Sequence, residues 1–187
     1  MKVLVACEFS GIVRDAFIAR GHDAVSCDLL PTERPGPHII GNVFNHLDEG
    51  WDMMLCFWPC TYAALSGVRW LYSQVGRWEM MEQYAKDFRR LVDYERIPKR
   101  VMENPIPHRH ARNIMGKYTQ IIQPWQFGHG ETKATCLWLF GVPLLKPTAV
   151  VSGRIHRVHL EPPGPDRQKN RSRTYPGIAN AMAEQWG

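Results

Sequence analysis

The sequence predicts an α/β fold with one mixed seven-stranded sheet and helices on both faces. Two observations carry this prediction. The chain opens with a short apolar run, a tight turn, apolar residues at helical spacing and a second apolar run that ends at Asp28, which is the order of a βαβ unit. Several later apolar runs stop at small or polar residues, as strands of a parallel sheet do at the edge where ligands bind.

Each element of this fold follows from a local pattern. Short apolar runs predict buried strands over residues 2–7, 23–27, 38–40, 52–57, 99–102, 120–127 and 133–140. The last two runs are joined by Gly128-His129-Gly130 and predict a closing antiparallel hairpin. Apolar residues at helical spacing predict helices over residues 12–21, 81–92 and 177–186. Residues 61–76 have no clean period and predict a long functional loop.

The composition is that of an ordinary globular protein, since 44% of the residues are hydrophobic and 22% are charged. The length predicts a single catalytic domain over residues 1–187. No apolar run approaches the ~20 residues of a membrane span, and Glu8 comes too early for a secretory signal. The five cysteines include no CxxC pair, so we expect a reduced, cytoplasmic protein. No cluster of His, Cys and carboxylate residues predicts a metal site.

The net charge of +5 is unevenly distributed along the chain. Residues 153–173 contain Arg154, Arg157, Arg167, Lys169, Arg171 and Arg173, against only Glu161 and Asp166. Such a basic stretch can neutralise the phosphates of a nucleic acid. A solvated basic tail is an equally good interpretation of the charge alone.

Small and acidic residues follow the first two predicted strands, at the edge where a parallel sheet binds ligands. Gly11 lets the backbone approach a ligand closely, and Asp28 can accept hydrogen bonds from both hydroxyls of a ribose. The chain lacks a full G-x-G-x-x-G loop for phosphates. A ligand with a ribose and no pyrophosphate, such as S-adenosylmethionine, therefore fits better than NAD. A generic turn with a surface aspartate is the alternative.

A cysteine and a glutamate end two neighbouring predicted strands. Cys60 follows Pro59, which fixes the backbone direction, and Glu103 follows the fifth strand. A thiolate that adds to carbon 6 of a pyrimidine makes carbon 5 able to attack a methyl donor, while a carboxylic acid hydrogen-bonds N3 of the base. The pair therefore indicates methylation of pyrimidine carbon 5. A buried structural thiol and a turn acid are the alternatives.

These segments together resemble the DNA cytosine-5 methyltransferases, in particular a short phage and prophage branch of that family. The matches are collinear and cover nearly the whole chain. They are Phe9-Ser10-Gly11-Ile12 to the F-x-G-x-G turn, Ser26-Cys27-Asp28 to the ribose-binding acid, Phe57-Trp58-Pro59-Cys60 to the Pro-Cys motif, Glu103-Asn104-Pro105 to the Glu-Asn-Val motif, and Gly177-Ile178-Ala179-Asn180-Ala181-Met182-Ala183 to the closing G-N-A-V-P segment.

The resemblance implies a Rossmann-like, class I fold that uses S-adenosylmethionine to methylate cytosine in DNA, with the target base flipped out of the duplex. The residues that it implies for catalysis are Cys60, Glu103, Asn104, Pro59 and Lys133. The residues that it implies for cofactor binding are Glu8, Phe9, Ser10, Gly11, Ile12, Asp28, Leu29, Asn42, Val43 and Asn180.

The chain departs from the family pattern at three places. Asn42 stands where an aspartate usually contacts the cofactor's adenine, and Trp58 could narrow the pocket or stack on a base. The Q-x-R-x-R strand becomes Glu131-Thr132-Lys133-Ala134-Thr135, in which only Lys133 is a positive donor. Two rivals therefore stay open: an enzyme that modifies a free pyrimidine nucleotide, and a catalytically idle homologue that binds the cofactor or DNA.

A short insert takes the place of the family's recognition domain. Residues 141–170 are basic and rich in proline, and they are fewer than the ~40 residues at which a domain can usually sustain its own core. We expect contacts with DNA from Arg69, Arg154, Arg157, Arg167 and Lys169, largely to phosphates, and hence relaxed sequence specificity. A monomer is the favoured oligomeric state.

Overall fold

The computed structural model describes residues 1–187. Its strands are β1 (Lys2–Ala6), β2 (Asp23–Asp28), β3 (His38–Ile40), β4 (Met53–Phe57), β5 (Lys99–Pro105), β6 (Gln120–Ile122) and β7 (Thr135–Phe140). They form one sheet in the order β3-β2-β1-β4-β5-β7-β6. β7 is antiparallel to both of its neighbours and the other pairs are parallel. The predicted α/β, Rossmann-like fold with a mixed seven-stranded sheet is confirmed.

Helices cover both faces of the sheet, as predicted. They are α1 (Ile12–Ile18), α2 (Trp70–Ser73), α3 (Arg77–Val92), α4 (Arg109–Met115), α5 (Arg157–Leu160), α6 (Arg167–Ser172) and α7 (Pro176–Trp186). The core lies in two layers: Val3 and Val5 of β1 pack on the side of α1 and α7, whereas Leu4 and Ala6 pack on the side of α3 and α4. Burial on both faces explains why β1 is apolar from Val3 to Ala6. None of the helices has the length and apolar composition needed to cross a membrane.

The fifth strand is longer than the sequence predicts. It continues beyond Met102, so Glu103 and Asn104 are paired with Leu137 and Cys136 of β7. The side chains of successive strand residues point to opposite faces. The strand therefore presents Glu103 and Asn104 to different sides of the sheet.

Three features of the structure differ from the prediction. The hairpin is antiparallel, but its first strand ends at Ile122, because Pro124 begins a 3-10 helix (Pro124–Gln126) and lacks the N–H that a strand needs. Residues 61–76 contain α2 and a 3-10 helix (Leu65–Gly67) rather than one long loop. The helix α4 was not predicted, and the buried ring of His108 caps its start by accepting a hydrogen bond from the N–H of Ala111.

Candidate functional site

The turn after β1 is stabilised by hydrogen bonds to one of its own side chains. The buried carboxylate of Glu8 accepts hydrogen bonds from the hydroxyl of Ser10 and from the N–H of Gly11. Gly11 adopts a left-handed conformation with φ of 75°, and a Cβ there would lie 2.6 Å from Nη2 of Arg14. Burial raises the pKa of Glu8. Glu8 and Gly11 therefore shape the predicted cofactor turn from within.

A buried arginine, which the sequence analysis did not single out, fixes the loop that follows Asp28. The guanidinium of Arg14 is fully buried and forms an ion pair of 2.8 Å with Asp15. It also donates to the carbonyl oxygens of Arg34 and Pro35, at 3.2 and 3.1 Å. A charged residue on the apolar face of the first predicted helix was the available signal. Arg14 thus holds residues 32–35 against the cofactor turn.

The carboxyl ends of β2 and β3 offer free hydrogen-bonding groups and exposed apolar surface. One carboxylate oxygen of Asp28 accepts from the N–H of Leu30 at 2.9 Å, and the other has no partner within the chain. Burial raises the pKa of Asp28. The side-chain oxygen of Asn42 caps a 3-10 helix through the N–H of Phe44, which leaves its amide N–H groups free. Leu29 is 73% exposed beside them, whereas Val43 is buried.

This edge fits a nucleoside. A free carboxylate oxygen suits ribose hydroxyls, the Asn42 amide can donate to an acceptor nitrogen of a purine, and the exposed Leu29 offers an apolar surface for its ring. Phe9 and Ile12 flank the turn and are half-buried. Asn180, the remaining predicted cofactor residue, is exposed on α7, and its side chain makes no hydrogen bond within the chain. Its role stays a prediction.

Asn104 connects the end of β5 to the loop that contains the cysteine. Its side chain is fully buried, and its amide donates to the carbonyl oxygen of Trp58 at 3.0 Å and to the hydroxyl of Tyr84 at 2.8 Å. The indole of Trp58 packs between Phe44 and Tyr84 on the α3 side of the sheet. Asn104 and Trp58 therefore position the exposed Pro59 and the half-buried Cys60 rather than lining a pocket.

Glu103 and Lys133 line one space on the side of β5 opposite Asn104, and Cys60 lies near enough to both for their charges to act on its thiol. Burial and the neighbouring Glu103 raise the pKa of the Cys60 thiol, while Lys133 opposes that shift. Burial raises the pKa of Glu103 and lowers the pKa of Lys133, and the mutual attraction of the two opposes both shifts. The arrangement places a thiol beside a carboxyl group that favours its protonated form.

The C-terminal segment covers this group of side chains. The space beside Glu103 and Lys133 measures about 10 Å³ and is closed by residues that include Thr174, Tyr175 and Ile178. Such a volume holds about one water molecule. A groove of about 570 Å³ lies elsewhere, between α3 and residues 44–48, and no predicted site residue lines it.

Most of the basic residues predicted to bind DNA have partners within the chain. Arg157 pairs with Glu131 at 2.9 Å, and Lys169 pairs with Glu33 at 2.9 Å. Arg154 lies over the ring of Trp125, and Arg167 donates to the carbonyl oxygen of Glu161. Arg69 is exposed and lies over the ring of Trp70. Their contact with DNA stays a prediction.

Glu33, a residue that the sequence did not predict for the site, links the basic residues 153–173 to the turn after β1. Its carboxylate forms ion pairs with Arg173 at 2.7 Å and with Lys169 at 2.9 Å, and these cations hold the pKa of Glu33 at about 2. The N–H of Glu33 also donates to the carbonyl oxygen of Phe9 at 2.8 Å. These contacts of Glu33 therefore connect the cofactor turn, residues 32–35 and α6.

No protein-family model matches the chain, and no curated protein matches it either. A solved structure provisionally named a DNA modification methyltransferase, encoded within a prophage of E. coli, shares 14% identity at a TM-score of 0.46, over 80% of this chain and 51% of that one. A triple mutant of DNMT2 from Spodoptera frugiperda shares 14% identity at a TM-score of 0.41, over 83% and 54%. The chain spans about half the length of each of these proteins. A functional assignment therefore depends on the site itself.

Proposed function

We propose that the chain transfers a methyl group from S-adenosylmethionine to carbon 5 of cytosine in DNA. The observation that carries this proposal is the group formed by Cys60, Glu103 and Lys133, at the same sheet edge as Asp28. Neighbouring parallel strands bring the nucleophile and the acid beside the nucleoside-binding edge. S-adenosylmethionine, when bound against Asp28 and Asn42, supplies an electrophilic methyl group.

The protonation state of Glu103 favours cytosine over the other pyrimidines. N3 of cytosine is an acceptor, so its partner must donate a hydrogen bond, and only a protonated carboxyl group can do so. Burial raises the pKa of Glu103 and thereby favours that form. Uracil and thymine carry a proton on N3 and would need the ionised form instead.

The reaction follows from nucleophilic addition. The Cys60 thiolate forms a bond to carbon 6, the electron pair of the 5,6 double bond moves toward N3, and Glu103 donates its hydrogen bond there. With the donor bound, carbon 5 would form a bond to the methyl carbon as the bond from that carbon to the donor sulfur breaks. The proton of carbon 5 would then pass to water, and the electrons of that C–H bond would re-form the 5,6 double bond as the bond between carbon 6 and the Cys60 sulfur breaks and releases the thiolate. Asn104 holds the loop of Cys60 in place through Trp58.

The covered site sets a condition on the substrate. A space of about 10 Å³ beside Glu103 cannot hold a pyrimidine, so the connection between α6 and α7 must move for a flipped base to bind. Lys169 and Arg173, which hold that connection through Glu33, are cations that DNA phosphates can attract. A polymer with phosphates on both sides of the base therefore suits this site better than a free nucleotide.

Transfer of a labelled methyl group tests the proposal against its rivals. Purified protein is incubated with labelled S-adenosylmethionine and either duplex DNA or dCMP. We expect label in the DNA and none in dCMP. Label in dCMP alone would identify a nucleotide-modifying enzyme. No label in either substrate, with cofactor binding shown by calorimetry, would identify a catalytically idle homologue.

Sequence specificity is tested separately, by bisulfite sequencing of a methylated plasmid. Phosphate contacts position a protein without reading bases, and the basic residues of the 141–170 insert are the main source of contacts. We expect methylation in many sequence contexts, and DNA binding that weakens steeply as salt rises. Modification confined to one motif of four or more bases would contradict this expectation.

A further inference from the structure

Helix α6 lies against the two segments that supply the nucleophile and the buried lysine. The amide of Gln168 donates to the hydroxyl of Thr61, the residue after Cys60, at 3.4 Å. Beyond the other end of the helix, the ammonium of Lys133 donates to the carbonyl oxygen of Arg173 at 3.4 Å. The residues between Gln168 and Arg173 therefore lie over the Cys60 site.

Arg171 shares a helix face with Gln168, because residues three apart lie on the same side of a helix. Its Nε atom is buried and has no hydrogen-bond partner, and Arg171 takes part in no ion pair. The neighbouring cations Lys169 and Arg173 are both paired with Glu33. Arg171 thus has no carboxylate partner within the chain, and its charge lies near enough to Cys60 to favour the thiolate.

A thiolate at Cys60 would be stabilised by a positive charge that does not depend on pH, and the groups around the thiol show why. The groups that face the thiol are Glu103 from β5, Tyr84 from α3, Lys133 from the segment before β7, and Arg171. Glu103 disfavours a thiolate, and burial makes Lys133 easier to deprotonate. A guanidinium keeps its charge at every pH at which the protein is folded, so it is the most dependable positive charge in this group.

We propose that Arg171 is the residue that stabilises the thiolate form of Cys60. This inference deepens the proposed function, because Cys60 is the nucleophile there. When the thiol ionises, its proton passes to solvent water and the negative charge on Sγ faces the guanidinium. Arg171 acts through Cys60 and is a positioning residue in that sense.

The test measures the thiol itself and needs no methyl transfer. The rate of alkylation of Cys60 by iodoacetamide is followed against pH, and peptide mass spectrometry distinguishes Cys60 from the other cysteines. In this reaction the thiolate sulfur displaces iodide and forms the new S–C bond. For Arg171→Met we expect the profile to move up by about one pH unit, so that alkylation at pH 8 slows about tenfold. Arg171→Lys keeps the charge and should stay close to wild type.

A matched control separates this effect from a change in net charge. Arg20→Met removes the same charge at the end of α1, at the opposite edge of the sheet, where Arg20 pairs with Glu184 on the surface. We expect its profile to match wild type. Circular dichroism and thermal unfolding establish that each variant is folded, and Arg171→Gln replaces Arg171→Met if the latter is not.

Two results would overturn the proposal. If α6 only covers the thiol, removal of Arg171 would expose Cys60 to water and alkylation would become faster, which would overturn the proposal, as would an unchanged profile. A slower alkylation in a protein that transfers no methyl group would support the role of Arg171 while rejecting the proposed function.

Discussion

The two halves of the candidate site are built in different ways. The cofactor half comes from residues 8–43 and is held by short-range contacts, such as those of Glu8 with Ser10 and Gly11. The catalytic half is assembled from Cys60, Glu103 and Lys133 on separate segments, under a cover from the C-terminal part of the chain. The cofactor turn is fixed by its own side chains and is linked to α6 through Glu33, whereas the catalytic group exists only once the sheet and α6 have come together.

This difference predicts different responses to mutation. Asp28 keeps an oxygen without a partner at an open edge, so changes there should alter cofactor affinity and little else. Glu103 lies in a covered group with strong mutual electrostatic effects, so changes there should alter the rate and its pH dependence while cofactor affinity stays the same.

The largest effect is expected for Cys60→Ser. A serine hydroxyl is essentially never ionised near neutral pH, so methyl transfer should fall below detection while S-adenosylmethionine affinity, measured by calorimetry, stays at the wild-type value. Cys136→Ala removes a thiol from β7 and serves as the control that keeps activity. Near-normal turnover by Cys60→Ser would show that Cys60 is not the nucleophile.

The next effect concerns Glu103→Gln and the pH profile of the rate. Wild type needs an ionised Cys60 and a protonated Glu103, and burial raises the pKa of both the thiol and the carboxyl group above their usual values. Between the pKa values of the two groups, the ionised fraction of Cys60 rises with pH as fast as the protonated fraction of Glu103 falls. The rate should therefore not change with pH in that range. Glutamine donates a hydrogen bond at every pH but is a much weaker acid than a carboxyl group, so it stabilises the charge on N3 less and the variant should be about 100-fold slower at neutral pH. Its rate should rise about tenfold per pH unit, because only the ionisation of Cys60 then sets the pH dependence.

Parallel profiles for wild type and Glu103→Gln would contradict that account of Glu103. The comparison needs rates at saturating DNA and cofactor, so that only the chemical step is followed. Unchanged cofactor affinity in the variant would confirm that the two halves respond separately.

A smaller effect is expected at the cofactor edge. Asp28→Ala removes a charged acceptor, and a hydrogen bond to a charged group contributes about 1.5–3 kcal/mol. We expect the affinity for S-adenosylmethionine to fall by about tenfold or more, measured by calorimetry. Asp23→Ala, at the exposed other end of β2, is the matched control. Equal affinities for the two variants would remove Asp28 from the site.

The smallest effect on methyl transfer is expected for a change at Gly177, in the first turn of α7, where the main effect should be on stability. A Cβ on Gly177 would overlap the carbonyl oxygen of Phe127, and such overpacking costs about 1–3 kcal/mol of unfolding free energy. Gly177→Ala should therefore lower stability in urea denaturation. Gly164→Ala, in open space, should not. Equal midpoints for the two variants would show that α7 shifts freely.

The sequence predicted the seven strands and the polar residues that follow them because both depend on local patterns. Short apolar runs gave the strands, and each polar residue that follows one is visible without a structure. It did not predict the extension of β5 through Glu103 and Asn104, because residues with weak strand preference are held there by pairing with β7.

The contributions of Arg14, Glu33 and Arg171 could not be predicted for a related reason. Each acts on a segment far away in the chain: Arg14 on residues 32–35, Glu33 on Arg173, and, as proposed above, Arg171 on the thiol of Cys60. A charge pattern predicted a basic stretch, but not which of its members face solvent, an acid or the thiol. Only the tertiary arrangement distinguishes them.

The most direct test of the central claim is covalent trapping. Duplex DNA that contains 5-fluorocytosine is incubated with the protein and S-adenosylmethionine, and the mixture is analysed on a denaturing gel and by peptide mass spectrometry. Fluorine on carbon 5 cannot leave as a proton does, so the bond between sulfur and carbon 6 should persist. We expect a complex joined through Cys60 that forms only with cofactor present and is absent in Cys60→Ser. Methyl transfer without any adduct, or an adduct at another residue, would contradict the account.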